Sequence, residues 1–421
     1  MKGKREGAGG MREGAGMNVL IISPGYPTEI NYFTRGLAVQ GARVFGIGDQ
    51  PEHDLPPIVR QSLAGYVQVA SLLDEAGVVK QVAAWKAAQP ITQVECLWEP
   101  GVILAARLRE KLGVAGQDVA QATLFRDKDA MKQAVVKAGI RTPKHRRATN
   151  AIETQRAAEE IGFPIIVKPI AGAGSADTFR VNSRLELDAV LARLGQARDV
   201  NVEEFIDAVE YTFDTICIKG KIVYWNVCLY RPRPLTARQE EWISPQTVAL
   251  RDVDADYLAG GREMGRAVLK ALEFQTGFTH MEWYRKENGE TIFGEIAARP
   301  PGARTVDCMN YASDIDLFTG WAEAVLHGRF STKLERRYNA AIVFKRAQGT
   351  GNIRHIEGLD RLHARFGPHI AAVELLPIGA PRRNWILTLV SDGFVVVRHP
   401  DLQTTLDMAD AVGTELHLYA G

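Results

Sequence analysis

The chain is poor in cysteine: Cys96, Cys217, Cys228 and Cys308 are the only four in 421 residues. None forms a CxxC pair and none sits at zinc-finger spacing from a histidine, which argues against a zinc ribbon and a disulfide framework. Such scattered thiols fit a reducing cytoplasm. No apolar run approaches the roughly 18 residues of a membrane span. Charge of one sign is also lacking: 51 Lys plus Arg face 50 Asp plus Glu, a formal net charge of +1. That balance argues against nucleic acid as the main partner and leaves room for a local basic pocket. There is no GxGxxG, so Gly25 and Gly48 read as strand-end turns rather than a dinucleotide loop. No repeat of solenoid period is present. The N-terminus, MKGKREGAGGMREGAG, has no apolar h-region and is not expected to be a secretory signal. Residues 1–16 are expected to form a disordered extension, with Met17 a candidate start because a strand follows it directly.

What is present is an ordinary globular composition, 46% hydrophobic and 24% charged, in a chain long enough for two or three domains. Asn18–Ser23 (NVLIIS) reads as a buried parallel strand, with further strands at 43–47 and 94–97 and helices at 34–40, 60–88 and 102–112. This alternation predicts a parallel α/β unit over 17–115. From 116 to 334 the pattern becomes α+β. Helices are expected at 126–139, 152–161, 183–195, 254–273 and 313–327, and strands at 163–169, 178–181 and 200–206. Hairpins follow at 210–218 with 221–229, and at 278–284 with 291–296, the latter around Asn288-Gly289. Residues 335–421 read as a small α+β unit, with strands at 340–346, 372–376, 385–391 and 394–398.

Three features carry chemistry. Lys168 sits in an apolar strand and feeds a small-residue loop containing Gly172, Gly174 and Ser175. A buried lysine wants an anion, and such a loop can surround phosphate oxygens; an edge strand with its lysine in solvent explains the pattern equally well. Glu282 and Glu295 flank the Asn-Gly turn and come nearly opposite each other if the strands pair. Facing carboxylates repel unless a cation lies between them, although an exposed sheet face would also accept two acids. Arg299 and Arg304 follow in an irregular Pro-Pro-Gly segment, where they read either as charge stabilisers beside a phosphate or as surface arginines. Arg231-Pro232-Arg233-Pro234 reads either as an anion contact or as a solvated loop, and His280 as a hydrogen-bonded structural histidine. Glu99 follows a strand end of the first unit, where parallel sheets place ligands.

Taken together in order and spacing, these features resemble the ATP-grasp superfamily over about 17–330, and most closely its carboxylate–amine ligases, such as the bacterial L-amino-acid ligases. The best-matched stretches are 126–139, 163–178, 202–216 and 278–304. The resemblance implies a parallel-sheet domain at 17–115, a two-lobed ATP-grasp domain at 116–334 and a small α+β domain at 335–421. It implies ATP with Mg²⁺ or Mn²⁺. Lys128 in RDKDAMK and Lys168 match the phosphate lysines, and 171–178 the loop that closes over the phosphates. Glu203 with the Glu204 and Ile206 backbone matches the adenine hinge, and Glu210 the ribose-binding acid. Glu282 and Glu295 match the metal ligands, and Arg299 the arginine that steadies the acyl phosphate. Arg304 would anchor a substrate carboxylate and Glu99 face substrate. One departure stands out: many relatives carry Asn where this chain has Ala297, which cannot ligate a metal.

The implied reaction joins a small carboxylate to an amine through an acyl phosphate, releasing ADP and phosphate, in the cytoplasm and with neither nucleic acid nor membrane as partner. Activation of bicarbonate or formate, or a non-catalytic ATP-binding protein, are the alternatives. A homodimer is left open.

Overall fold

The computed structural model describes residues 16–85, 90–170, 177–194, 199–388 and 390–421. Most of the expected N-terminal extension, together with Gly172, Gly174 and Ser175, lies outside them.

The first unit is a four-stranded parallel sheet in the order Leu63–Gln68, Arg43–Gly48, Asn18–Ile22, Gln93–Cys96. Every residue of Asn18–Ile22 is buried because both faces are covered. Val19 and Ile21 pack with Phe33, Phe318 and Trp321, while Leu20 and Ile22 pack with Phe45, Leu104 and Leu108. The helix expected over 60–88 is not continuous. Leu63–Gln68 joins the sheet instead, and among the described residues helix persists only at Pro57–Ser62 and Glu75–Ala84, the latter started by Asp74, whose side chain accepts from the Gly77 N–H at 3.0 Å.

The second unit is an antiparallel sheet in the order His145–Ala148, Val200–Glu204, Ile165–Pro169, Phe179–Val181. Ile165, Val167, Val200 and Val202 pack against helices Ala151–Ile161 and Arg184–Leu194.

The third sheet has nine strands. Its order is Thr291–Ala297, Gly277–Arg285, Val209–Ile218, Cys228–Arg231, Gln246–Ala249, Asn339–Phe344, Gly393–His399, Ile370–Leu375, and Lys221–Asn226 also pairs with Val209–Ile218. Strands from beyond residue 334 thus extend this same sheet. Several local expectations are corrected. The stretch 221–229 breaks at Val227, so that Cys228–Arg231 turns to pair with Gln246–Ala249. Residues 385–391 form no strand among the described positions, since Asn384 organises turns by accepting from the backbone N–H groups of Ile386 and Leu387. A helix at Thr305–Ser313 was hidden behind the Pro-Pro-Gly segment.

Helix Ala259–Ala271 lies on the Glu282 strand with almost no clearance. A Cβ on Gly261 would come within 2.2 Å of the Trp283 ring, and one on Gly265 within 2.3 Å of Phe213. Gly261→Ala is therefore expected to lower stability by about 1–3 kcal/mol through overpacking, despite the roughly 1 kcal/mol gained in helix propensity. Gly367→Ala, whose Cβ would meet nothing within 4 Å, serves as the control. Thermal melting of both variants checks this.

Candidate functional site

Strand alternation turns Ile165 and Val167 into the core of the second sheet and Ile166 and Lys168 toward a cleft. Glu203, the register partner of Ile166 on the neighbouring strand, shares that face. Helix Lys128–Lys137, capped by Asp127, which accepts from the Asp129 and Ala130 N–H groups, presents Lys128 and Lys132 one turn apart. From the third sheet, Glu282 and Glu295 are direct cross-strand partners, as the Asn-Gly turn implied.

These groups form one charge cluster. Lys168 Nζ lies 3.0 Å from Glu203 Oε1 and 3.6 Å from Glu295 Oε2, so it bridges two sheets. Lys128 Nζ lies 3.3 Å from Glu295 Oε2, and Lys132 pairs with Glu203. Asn201 Nδ2 donates to Glu203 at 2.6 Å. Burial would raise both carboxyls, but Lys132 and Lys168 hold Glu203 below its ordinary value, and Lys128 and Lys168 do the same for Glu295. Burial would lower Lys168, yet Glu203 and Glu295 outweigh it and raise it. At Lys132 burial prevails, pushing it down to about 8. Lys128, Lys168, Glu204, Ile206, Glu210, Arg233, Glu282 and Glu295 are among the residues that line the cleft.

The structure places several candidates differently from the sequence reading. The Glu203 side chain meets Lys132 and Lys168, because its strand position puts it on the lysine face. Glu204 accepts from Arg141 Nη2 at 3.0 Å and from the Lys144 N–H at 3.1 Å. Glu210 is buried, and burial together with Glu282 pushes its carboxyl up to about 8. Glu99 is buried between two arginines: Arg126 Nη1 lies 2.5 Å from Oε1, and Arg299 Nε meets Oε2. Both of its oxygens are thus engaged by protein. Burial would lower the Arg299 guanidinium, but Glu99, and more weakly Glu282 and Glu295, raise it. Arg304 stands apart. It grips Asp307 at 2.7 and 3.2 Å and reaches Glu374 at 3.1 Å.

Among the described residues, no group of three or more His, Cys, Asp and Glu is arranged to hold a metal ion. An oxygen-only carboxylate pair nevertheless suits Mg²⁺ or Mn²⁺, since Mg²⁺ keeps waters and takes substrate phosphates. Ala297, the register partner of His280, offers no donor. The Glu282 carboxylate is supported from within the sheet: Tyr230 Oη donates to Oε1 at 3.4 Å, and His280 Nε2 lies 3.5 Å away. His280 Nδ1 is 2.6 Å from the buried Asp214. Burial would lower His280, but Asp214 and Glu282 raise it to about 9. Lys132, Arg126 and Asp214 escaped the sequence reading; only Lys132 carried a local signal, its one-turn spacing from Lys128.

Residues 133–312 match the ATP-grasp domain family. An L-arginine-specific L-amino acid ligase of Bacillus subtilis is 28% identical over 221 residues, covering 51% of this chain and 52% of that protein. Alanine–anticapsin ligase of Bacillus subtilis strain 168 is 41% identical over 238 residues, covering 50% and 49%. The chain thus spans about half the length of the curated relatives it matches. The crystal structure of an L-amino acid ligase from Bacillus licheniformis superposes with a TM-score of 0.78 at 18% identity, covering 97% of this chain and 99% of that one.

Burial would raise the Glu99 carboxyl, but Arg299 and Arg126 hold it below its ordinary value of 4.5. Its stabilising effect is therefore complete above that pH and is lost as pH falls through the folded-state value. Glu99→Gln is expected to lower stability near neutral pH by about 3 kcal/mol, because two largely buried guanidiniums lose the carboxylate they share. It should also flatten the acid limb of the melting profile. Melting midpoints of wild type and variant from pH 3 to 8 check both outcomes.

Proposed function

Because the chain carries an ATP-grasp domain and has the ATP-grasp fold, we propose that it is an ATP-dependent carboxylate–amine ligase acting on amino acids. The observation that carries this reading is Lys168 bridging Glu203 and Glu295, with Glu282 facing Glu295 across the strand pair. A phosphate-binding cation and a pair of metal-suited carboxylates then share one cleft.

In this reading a substrate carboxylate oxygen attacks the γ-phosphorus of ATP, the bond to the β–γ bridging oxygen breaks, and ADP leaves with that bond's electron pair. The amine then attacks the acyl carbon of the acyl phosphate. Phosphate departs, a proton leaves the nitrogen, and an amide remains. Lys128 and Lys168 meet the phosphates, and Arg299, pre-oriented by Glu99, faces the charge that develops on the transferring group. Glu282 and Glu295 would hold Mg²⁺ or Mn²⁺, which when bound neutralises phosphate charge. The backbone of 204–206 would receive the base, with Glu210 at the ribose. Gly172, Gly174 and Ser175 would close over the phosphates and keep water from the acyl phosphate. Arg304, already held by Asp307 and Glu374, would have to give up those partners to anchor a substrate carboxylate. Cytoplasmic location suits these substrates, and no helix among the described residues is long and apolar enough to cross a membrane.

Purified protein with ATP and Mg²⁺ is expected to release ADP and phosphate only when an acid and an amine from an amino-acid pool are both present, with a new amide visible by mass. Turnover with bicarbonate or formate alone would move the assignment to those acids. AMP with pyrophosphate would overturn the acyl-phosphate route. Glu295→Gln is expected to cut turnover at least ~100-fold.

A further inference from the structure

The Arg231-Pro232-Arg233-Pro234 run takes no part in the reading above. Its two arginines diverge. Arg231 turns outward, donating to Asp410 at 3.0 Å and Gln246 at 2.9 Å. Arg233 turns into the cleft, with 19% of its side chain exposed, and its Nε donates to Glu210 Oε2 at 3.3 Å. Its guanidinium lies 5.0 Å from the Phe205 ring centre and 5.3 Å from that of Tyr284. Arg180 also sits on Phe205, at 4.1 Å. The planar group is therefore held by a carboxylate and two rings, contacts that fix its orientation as well as its charge. Its backbone is fixed too: prolines flank it, and it is the residue that opens the short helix Pro234–Ala237. The contact occupies one side of one carboxylate oxygen. A carboxylate accepts at about four positions, so Glu210 keeps capacity for hydroxyl donors from the cleft.

We propose that Arg233 is a positioning residue for the nucleotide: it holds the Glu210 carboxylate toward the ribose hydroxyls of bound ATP and so sets the preference for ribonucleotides over deoxyribonucleotides. This rests on the reading of Glu210 as the ribose-binding acid. A carboxylate swinging freely on its two methylenes would lose part of the hydrogen bond to ordering, whereas one pinned by a stacked guanidinium is ready when the ribose arrives. A residue that merely closed the loop would affect ATP and its deoxy analogues alike.

The test measures binding of ATP, 2′-deoxy-ATP and 3′-deoxy-ATP to the full chain with Mg²⁺ and without acid or amine. At pH 9, above the value of about 8 to which burial and Glu282 push the Glu210 carboxyl, wild type is expected to prefer ATP by about 10-fold or more over at least one deoxy analogue, the range for a lost hydrogen bond to a charged group. Arg233→Met keeps the apolar stem and is expected to reduce that ratio to about 2-fold, chiefly by weakening ATP. Arg233→Lys keeps the charge but not the fork and should fall between, and it decides the question should the Met variant not fold. A wild-type ratio in Arg233→Met, or in Arg233→Lys where that variant decides, overturns the proposal alone. Wild type that binds ATP without discrimination overturns the placement of Glu210 and the proposal with it. Wild type that binds no nucleotide overturns the parent reading.

Discussion

The Lys168 ammonium, shared between Glu203 and Glu295, is the interaction on which the site depends. One carboxylate belongs to its own sheet and the other to the nine-stranded sheet, so a single cation ties the two across the cleft. Lys128 and Lys132, from the helix that opens between these sheets, complete the balance. Lys132, Lys168 and Glu203 are largely withdrawn from water and are tolerable only as a set, because removing Glu203 leaves buried ammonium charge poorly compensated. The cluster is therefore poised rather than inert. Under the proposed reading, an entering polyphosphate would take the ammonium groups from Glu295, an exchange of one paired state for another without a bare charge between. Glu203, almost wholly buried, remains as the fixed counter-ion.

A second clamp serves the parallel sheet. The segment that follows Gln93–Cys96 delivers Glu99 to Arg126 and Arg299, which come from the other units. Parallel sheets expose functional loops at their carboxyl ends, and here that geometry supplies an anchor. Arg299 has both an anchoring acid and, farther off, the pull of Glu282 and Glu295. Its position thus depends on three units meeting correctly.

What the sequence made legible follows from range. The facing of Glu282 and Glu295 was readable because an Asn-Gly turn sets register within a few residues. Lys168 alone left burial and solvent exposure equal. Only the acids on two other strands decide between them, and no local pattern announces those contacts. The lysine partners of Glu203 were illegible for the same reason: its face is set by pairing with Ile166, a strand away. Leu63–Gln68 was lost inside a helix-like stretch because its half-exposed edge position gives a weak alternation. Thr305–Ser313 was lost because Pro-Pro-Gly masks a helix that starts from left-handed Arg304, φ +58°.

The Ala297 substitution gains meaning from the hydrogen bonds opposite it. A carboxylate with few partners needs some group to fix its rotamer before it can bind a cation well. Glu282 has two such groups inside its own sheet. Tyr230 donates to it, and His280, held at its far nitrogen by Asp214, stands against the same oxygen. Asp214 is itself fixed by Thr212 Oγ1 at 2.6 Å. This buried chain runs from a central strand to the cleft and orients the carboxylate without a third side chain at the metal. Under the proposed reading, the missing donor at 297 would cost a ligand and leave the aim of the Glu282–Glu295 pair intact, and nucleotide phosphates and water would have to supply more of the cation's coordination.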